Sequence, residues 1–561
     1  MEVRLKQKNE RDFIDITKRI SVEKSAWTKS AREILKPELL EILTNLHHEL
    51  EVDRQKLLTA RKIQQEKFDK GDLPDYLPRD TAAVTGDWKV DPLPDDIMTR
   101  RVEITGPVNN TKMVINMLSR NDDGIKADMA MLDFEDSMKP TWVNVIDGVH
   151  NVIGAAKGDL RFIKPGIGDE SEKIYEIDPN DMAGVMVRCR GLHLNESHVL
   201  IDGKEIAGGL FDIAVTFYHT ARELLRRGKT PMYYVPKCEH YLEARWWNRL
   251  FTSVENALEL PNGTLKATFL IETLPASYQM EEILYEFREH AAGLNGGRWD
   301  KIFSDIKVLK NHADRVLADR GTIDMLRPWM DNYVKRIIKI CHARGAFAMG
   351  GMSAFTPGST AQIREEQTAK VLEDKKHEFD IGHDGCWVSH PYFITYAMKA
   401  FSRENQLDRQ LDDFDKYPDL LPKSTGPITI GGMRKNIRVG IGYMNGWNQD
   451  IGCVAWDNLM EDLATLEISR AQIWQWLHHK VELNDGHKVT RELVHKIFDE
   501  ELEKILSEVK STMKDQPEAS VKHVIDGFKK AREDAESIFT QEELASSLHE
   551  ALAVKEQAEK G

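Results

Sequence analysis

Cysteine is scarce and poorly placed for cross-linking. The 561 residues hold five (Cys189, Cys238, Cys341, Cys386 and Cys453), widely spaced and without a C-x-x-C pair. That excludes a disulfide framework and a thiolate zinc site, and fits a reducing compartment. His-x-x-x-His and His-Glu-x-x-His spacings are absent too, so any metal is a hard one rather than zinc. There is no G-x-x-x-x-G-K-[ST] loop for a nucleotide phosphate. No stretch reaches the roughly 20 consecutive apolar residues of a membrane-spanning helix. The opening MEVRLKQKNERDF has no apolar core of a secretory signal, and the closing EQAEKG is not an S-K-L-type address. Positive charge is in deficit: Lys plus Arg is 77 against 92 Asp plus Glu, a net charge of −15. An acidic chain is a poor partner for a phosphate backbone. The expectation is a soluble cytoplasmic protein with neither nucleic acid nor membrane as partner.

Apolar material is plentiful. Hydrophobic residues make up 41%, with 12 Trp, 13 Tyr and 19 Phe, ample for a large core. The first 75 or so residues read as helical, with Leu39, Leu40, Ile42, Leu43, Leu46 and Leu50 at helical spacing. A charged helix follows and stops near Asp72, Pro74 and Pro78, and a turn-rich connector runs to Pro94. Beyond it, short β-prone runs alternate with longer segments of helical period. They are Val102–Thr105, Met129–Phe134, Val185–Arg188, Met232–Pro236, Ala267–Ile271, Ala291–Asn295, Ala346–Met349 and Cys386–Ser389. Eight such units argue for an α/β fold, a (β/α)8 TIM barrel; a doubly wound open sheet uses the same alternation. The ends of the runs favour the barrel. They lead into Glu135-Asp136, Arg188, Lys237 and Glu272, as a single mouth at the strands' C-terminal ends requires. A loop-like stretch after residue 402 precedes a charged helical remainder. The expected units are 1–94, 95–402 and 403–561.

Two carboxylates stand out. Glu272 closes the run FLIETLPA, and Asp300 follows Ala291–Asn295 through the glycine turn of GLNGGRWD. Carboxylates converging from neighbouring strand ends suit Mg2+, which keeps water or substrate on its other positions. The rival for each is a loop carboxylate paired with an arginine, and a strand over Lys301–Ser304 would put Asp300 at the wrong mouth. The glycine-rich Gly345–Gly351 reads as close packing at a strand end. A helix is expected from Asn458 to His479, with Glu467–Arg470 as an i, i+3 ion pair on its apolar side and Asp462 at the edge. Periodicity alone does not select Asp462.

The segment Arg288–Ser304, REHAAGLNGGRWDKIFS, resembles the malate synthase signature, departing at Lys301, where that family usually has Tyr. RRVEITGPV, LDFEDSMKPTW, VRCRGLHLNESH, ATFLIETLPA, RGAFAMGGM, HDGCWVSHP and MEDLATLEISRAQIWQW are similar to the shorter, A-type members. The resemblance implies a TIM barrel flanked by an N-terminal helical clasp and a C-terminal helical plug, making malate from glyoxylate and acetyl-CoA with Mg2+. It implies Glu272 and Asp300 as metal ligands, Arg188 as the active-site arginine and Asp462 as the catalytic base. Glu135 and Asp136 match the acidic pair beside the metal, and backbone N–H groups around Arg298, Trp299 and Asp300 would hold the glyoxylate carboxylate. The loop His383–Pro391 is the expected edge of the acetyl-CoA channel. Two rivals stay in view: an acyl-CoA lyase of the citrate-lyase β type, and a catalytically silent metabolite-binding protein.

Overall fold

Residues along the central strands alternate between two hydrophobic environments. Met129 and Met131 point one way with Met186, Met232, Tyr234, Leu270, Ala292 and Trp387, forming a cluster of their own. Their neighbours Ala130, Leu132, Val185, Val187, Tyr233 and Val235 join the large surrounding core. This period of two marks strands buried on both faces, one toward an interior and one toward a ring of helices. The computed structural model describes residues 11–166 and 171–560. The start of the N-terminal segment read above for a leader, and the final Gly561, lie outside the described residues.

The strands are β1 (Val102–Pro107), β2 (Met129–Asp133), β3 (Gly184–Arg188), β4 (Met232–Val235), β5 (Lys266–Leu270), β6 (Ala291–Asn295), β7 (Phe347–Ser353) and β8 (Gly385–Val388). Each pairs in parallel with the next, and β8 pairs with β1, which closes the barrel. The open-sheet alternative is thereby excluded. Polar side chains fill part of the interior: Arg100 Nε donates to Glu103 Oε1 at 2.7 Å, while Tyr234 Oη and Trp387 Nε1 donate to Glu103 Oε2. Gly293 is required on β6, because a Cβ there would stand 2.2 Å from the Phe347 carbonyl oxygen of β7. Gly350 likewise approaches Glu378 Oε2, where a Cβ would come to 2.6 Å, so the glycine-rich run is close packing.

The helix α1 (Pro37–Asp69) starts with proline in its first turn and buries Leu39, Leu40, Leu43, Leu46 and Leu50. It is pinned to the barrel by Trp246 Nε1 donating to the Leu50 carbonyl and by Arg61 bridging to Glu243. The segment before it is not wholly helical as expected. Strands Phe13–Asp15 and Ile20–Glu23 join the hairpin Asn195–Ile201 and Lys204–Ala207 in a four-stranded antiparallel sheet. The reason is local alternation, with Ile20 and Val22 buried between half-buried Ser21 and Glu23.

Beyond the connector the chain forms a second core around α3 (Ile430–Trp447), α4 (Leu463–His478) and further helices, ending in α5 (Leu548–Lys560). The helix expected from Asn458 starts only at Leu463. Residues Val454–Trp456 and Leu459–Glu461 form an antiparallel hairpin turned at Asp457 and Asn458, both with positive φ (50° and 63°). The strand envisaged over Lys301–Ser304 is instead part of α2 (Trp299–Val308). Its Ile302, Phe303 and Ile306 pack on Ile468, Ala471 and Trp474 of α4, seating the C-terminal unit on the barrel mouth.

Candidate active site

The C-terminal ends of β2 to β6 deliver one charged group after another to the same mouth. Asp133 ends β2, and its carboxylate accepts the N–H groups of Glu135 and Ser137, folding the following loop back over the barrel. Arg188 ends β3 in direct register with Asp133. Its Nε donates to Asp133 Oδ1 at 2.7 Å and its Nη2 to Oδ2 at 2.6 Å, while Nη1 faces Glu135 Oε2 at 3.6 Å and Asp136 Oδ2 at 3.9 Å. At the outer edge of the guanidinium, Nη1 and the second hydrogen of Nη2 make no hydrogen bond, Nη1 being held only by these longer ion pairs.

Lys237 follows β4 with φ 55°, a left-handed conformation that turns its side chain into the mouth. Its Nζ donates to Glu135 and to both Asp136 oxygens at 2.8–2.9 Å, and stands 3.4 Å from Asp300 Oδ1. Its backbone N–H donates to Glu272 Oε1 at 2.9 Å. Glu272 follows β5, and Asp300 lies in the first turn of α2, which has no side-chain cap. The first N–H groups of that helix are therefore available to an anion.

Asp462 enters from the C-terminal unit. It caps α4, with its Oδ1 accepting from Thr465 N at 3.4 Å, and Leu463 N donates to the Asp136 carbonyl at 3.1 Å. The cap position explains why helical periodicity misjudged it: the residue precedes the helix. Glu467 is one turn further in and fully engaged, accepting from Arg470 Nε at 2.5 Å and from Leu548 N at 2.6 Å. It is not available as a base.

Six carboxylates (Asp133, Glu135, Asp136, Glu272, Asp300, Asp462) face two cations, Arg188 and Lys237, and all are buried or nearly so. Burial, then the neighbouring Asp136, push the Asp462 carboxyl up to about 7, against the pull of Arg188 and Lys237. Burial and the same neighbour raise Asp300 and Glu135, and burial raises Glu272. Asp136 is the exception: burial opposes ionisation, but Lys237 and Arg188 hold it down at about 2. The excess of carboxylate oxygen calls for a hard cation. Asp300 Oδ1 is buried without a hydrogen bond, as an open ligand position should be. Among the described residues no three His, Cys, Asp or Glu side chains form a metal cage, so the fit is to a cation held by two carboxylates plus water or substrate.

A cavity of about 1000 Å3 opens from this cluster, lined by Glu135, Lys237, Glu272 and Asp300, by α1, and by Ser546, Ser547 and His549 near the C-terminus. Most site residues expected from the sequence thus converge: Glu135, Asp136, Arg188, Glu272, Asp300 and Asp462. Arg298 caps α2, but its side chain lies over the Trp299 ring at 4.0 Å, so these two bring backbone to the site and project elsewhere. His383 is a correction. It precedes β8, at the opposite end of the barrel, with Nδ1 paired to the Ala348 carbonyl, so only the Ser389–Pro391 end of that loop is near the mouth. Sequence reasoning missed Asp133 and gave Lys237 no role. The signal for both was a charged residue at or just past a buried run.

Three family models match the chain: "Malate synthase, TIM barrel domain" over residues 184–420, "Malate synthase, C-terminal" over 427–557, and "Malate synthase, N-terminal domain" over 26–82. Malate synthase A of Escherichia coli (strain K12) is 45% identical over 490 residues, 86% of this chain and 90% of that protein. Malate synthase of Myxococcus xanthus (strain DK1622) is 45% identical over 493 residues, 87% of this chain and 89% of that protein. The glyoxysomal malate synthase of Candida tropicalis is 41% identical over 495 residues, 86% of this chain and 88% of that protein.

Proposed function

The chain belongs to the malate synthase family, which joins glyoxylate to acetyl-CoA and releases malate and free CoA, and we propose that Asp462, Arg188, Glu272 and Asp300 carry that reaction here. Asp462 takes a proton from the acetyl methyl group. Its carboxylate is poised near neutrality and is ionised in part at physiological pH, as a base for a weak carbon acid must be. Arg188 presents the outer edge of its guanidinium to the oxygen that becomes negative as the enolate forms. Asp133 fixes that edge in place through the bidentate pair. The uncapped N-terminus of α2 offers backbone N–H groups to the glyoxylate carboxylate. Glu272 and Asp300 would hold Mg2+, with Glu135 and Asp136 beside them in the same carboxylate cluster. The metal when bound supplies Lewis-acid polarisation of the glyoxylate aldehyde. Attack by the enolate carbon on the aldehyde gives malyl-CoA, and water releases malate and CoA.

The observation that carries this reading is the seam. A base borne on the C-terminal unit meets an arginine and a carboxylate cluster borne on the barrel, so the two units must dock for the site to exist. We divide the chain on that basis into a clasp (1–94), a barrel (95–402) and a plug (403–561), and place it in the cytoplasm, where its five free thiols stay reduced. Among the described residues no helix is long and apolar enough to cross a membrane. The test is release of free thiol from acetyl-CoA. It is expected only with glyoxylate and Mg2+ both present; cleavage of malyl-CoA back to acetyl-CoA and glyoxylate without net thiol release would overturn the reading in favour of a lyase.

A further inference from the structure

The base of the proposed reaction has no bond of its own to the barrel. Among the described residues the Asp462 carboxylate accepts only from Thr465 N, at 3.4 Å and within its own helix. Its place is set by the chain on either side. Two residues before it, Met460 N donates to the carbonyl of Ala354, just past β7, at 2.7 Å. One residue after it, Leu463 N donates to the carbonyl of Asp136, past β2, at 3.1 Å. The hairpin of Val454–Trp456 and Leu459–Glu461 that leads to Asp462 is thus stitched to two barrel loops, and the chain entering it is gripped by a further set of contacts.

The grip centres on Lys139, in the same loop as Glu135 and Asp136. Its Nζ crosses to the C-terminal unit, donating to Asp450 Oδ1 at 2.7 Å and to the carbonyl of Trp447, the last residue of α3, at 2.9 Å. Positive charge is favoured at such a helix end. Asp450 takes a left-handed conformation, φ 61°. Its carbonyl accepts from Asn144 Nδ2 at 3.0 Å, and the same amide donates to the Lys139 carbonyl at 2.9 Å. Two residues on, Gly452 lies directly against the loop: a Cβ there would stand 2.2 Å from Lys139 N and 2.3 Å from the Met138 carbonyl carbon. A half-exposed ion pair alone contributes little. Here the ammonium also fills a helix-terminal carbonyl, and backbone presses on backbone beside it, so the spacing of the two units is specified at this point.

We propose that Lys139, with Asp450 and Gly452 opposite it, is a positioning residue that sets the distance of Asp462 from Arg188 and the acidic pair. This role rests on the functional reading above, in which Asp462 is the base. Reach matters there, since a misplacement of about 1 Å can cost about 100-fold in rate. The test sets K139M, K139R and G452A against wild type. K139M should lower kcat for thiol release by about 10- to 100-fold and slow exchange of the acetyl-CoA methyl protons in step. KM for glyoxylate and calorimetric Mg2+ affinity should be unchanged. K139R should recover most of the loss, because a guanidinium can reach carbonyl and carboxylate together. Backbone hydrogen exchange at Met460 and Leu463, whose N–H groups bond across the seam, should quicken in K139M and G452A but not in K139R. Should G452A not fold, the two Lys139 variants carry the test. The positioning role is overturned if K139M keeps near wild-type kcat, if K139R does not recover the loss, or if backbone exchange at Met460 and Leu463 is unchanged. A wild type that neither releases thiol nor exchanges methyl protons would sink the functional reading instead. Quickened backbone exchange in K139M would still establish the lock at the seam in that case, and unchanged exchange would refute it.

Discussion

Arg188 and Asp133 face each other in register on neighbouring strands and share two parallel hydrogen bonds, of 2.7 and 2.6 Å. The pair uses one edge of the guanidinium and so determines which edge faces the mouth. Asp133 is therefore a positioning residue. Asp133→Asn, which can accept only on one side, should lower kcat by about 100- to 1,000-fold, the loss typical of one misplaced oxyanion donor. Arg188→Lys should do the same, since an ammonium cannot keep the pair and the outer edge together. KM should move less than kcat in both. Steady-state kinetics beside melting curves check this; near wild-type kcat in the Asn variant refutes the positioning role.

Glu272→Gln and Asp300→Asn each remove a charged oxygen and keep the shape. Both should abolish Mg2+-dependent thiol release, and calorimetric titration should show Mg2+ affinity reduced by about tenfold or more. Because both carboxyls are raised by burial, losing the charge should leave the melting temperature in metal-free buffer unchanged or higher.

Lys237 binds three carboxylates with one ammonium, so its removal exposes their mutual repulsion. Lys237→Met should lower the melting temperature of the metal-free protein, by an amount equivalent to about 3–5 kcal/mol as for other broken buried ion pairs. Mg2+ should then stabilise the variant more than it stabilises wild type. Melting curves with and without Mg2+ decide it.

Asp462 carries a pH dependence whose sign follows from burial. Its folded-state value, about 7, lies above the 3.8 of an ordinary aspartate. Between those two values the folded chain keeps a proton that the unfolded chain has released, so stability falls as pH rises. Asp462→Asn cannot ionise and escapes this penalty. Its stability should match wild type near pH 4 and exceed it increasingly toward pH 8, by on the order of 1–4 kcal/mol, with the melting temperature rising in step. The same variant should no longer exchange the acetyl-CoA methyl protons with solvent.

The barrel was legible because its strands are buried on both faces, which leaves uninterrupted runs such as Met129–Asp133 and Ala291–Asn295 bounded by charge. Asp462 was not, because the apolar residues Leu459 and Met460 continue the phase of α4 although they belong to a hairpin. Only the left-handed turn at Asp457 and Asn458 separates the two, and that pair of residue types was the available signal. The strands at Phe13–Asp15 and Ile20–Glu23 escaped for another reason: they are three and four residues long and find their partner near Val199, far along the chain. Asp133 was hidden inside a run counted as strand, since nothing in a single sequence tells a buried carboxylate from the residue that pairs with it.

The Glu467–Arg470 pair, evident from its spacing, does more than stabilise α4. Glu467 Oε1 accepts Leu548 N at 2.6 Å, Arg470 Nη2 donates to the Ala545 carbonyl at 2.8 Å, and Trp474 Nε1 to that of Gln541 at 3.1 Å. The helix that Asp462 caps thus holds the stretch Gln541–Leu548, whose Ser546 and Ser547 line the cavity together with the adjoining His549. Glu467→Ala should release that stretch while leaving Glu272 and Asp300 untouched. It strands a buried guanidinium and an N–H without an acceptor, so a loss of roughly 3–5 kcal/mol in stability is expected. Glu467→Gln keeps an acceptor for Leu548 N and should lose less. If the stretch serves as a wall of the site, kcat/KM for acetyl-CoA should fall in the Ala variant even at temperatures where it is fully folded. Hydrogen exchange at Ala545–Glu550 should quicken in the same variant. Faster exchange with unchanged kinetics would make the pair purely structural, and unchanged exchange would mean that other contacts hold the C-terminal stretch in place.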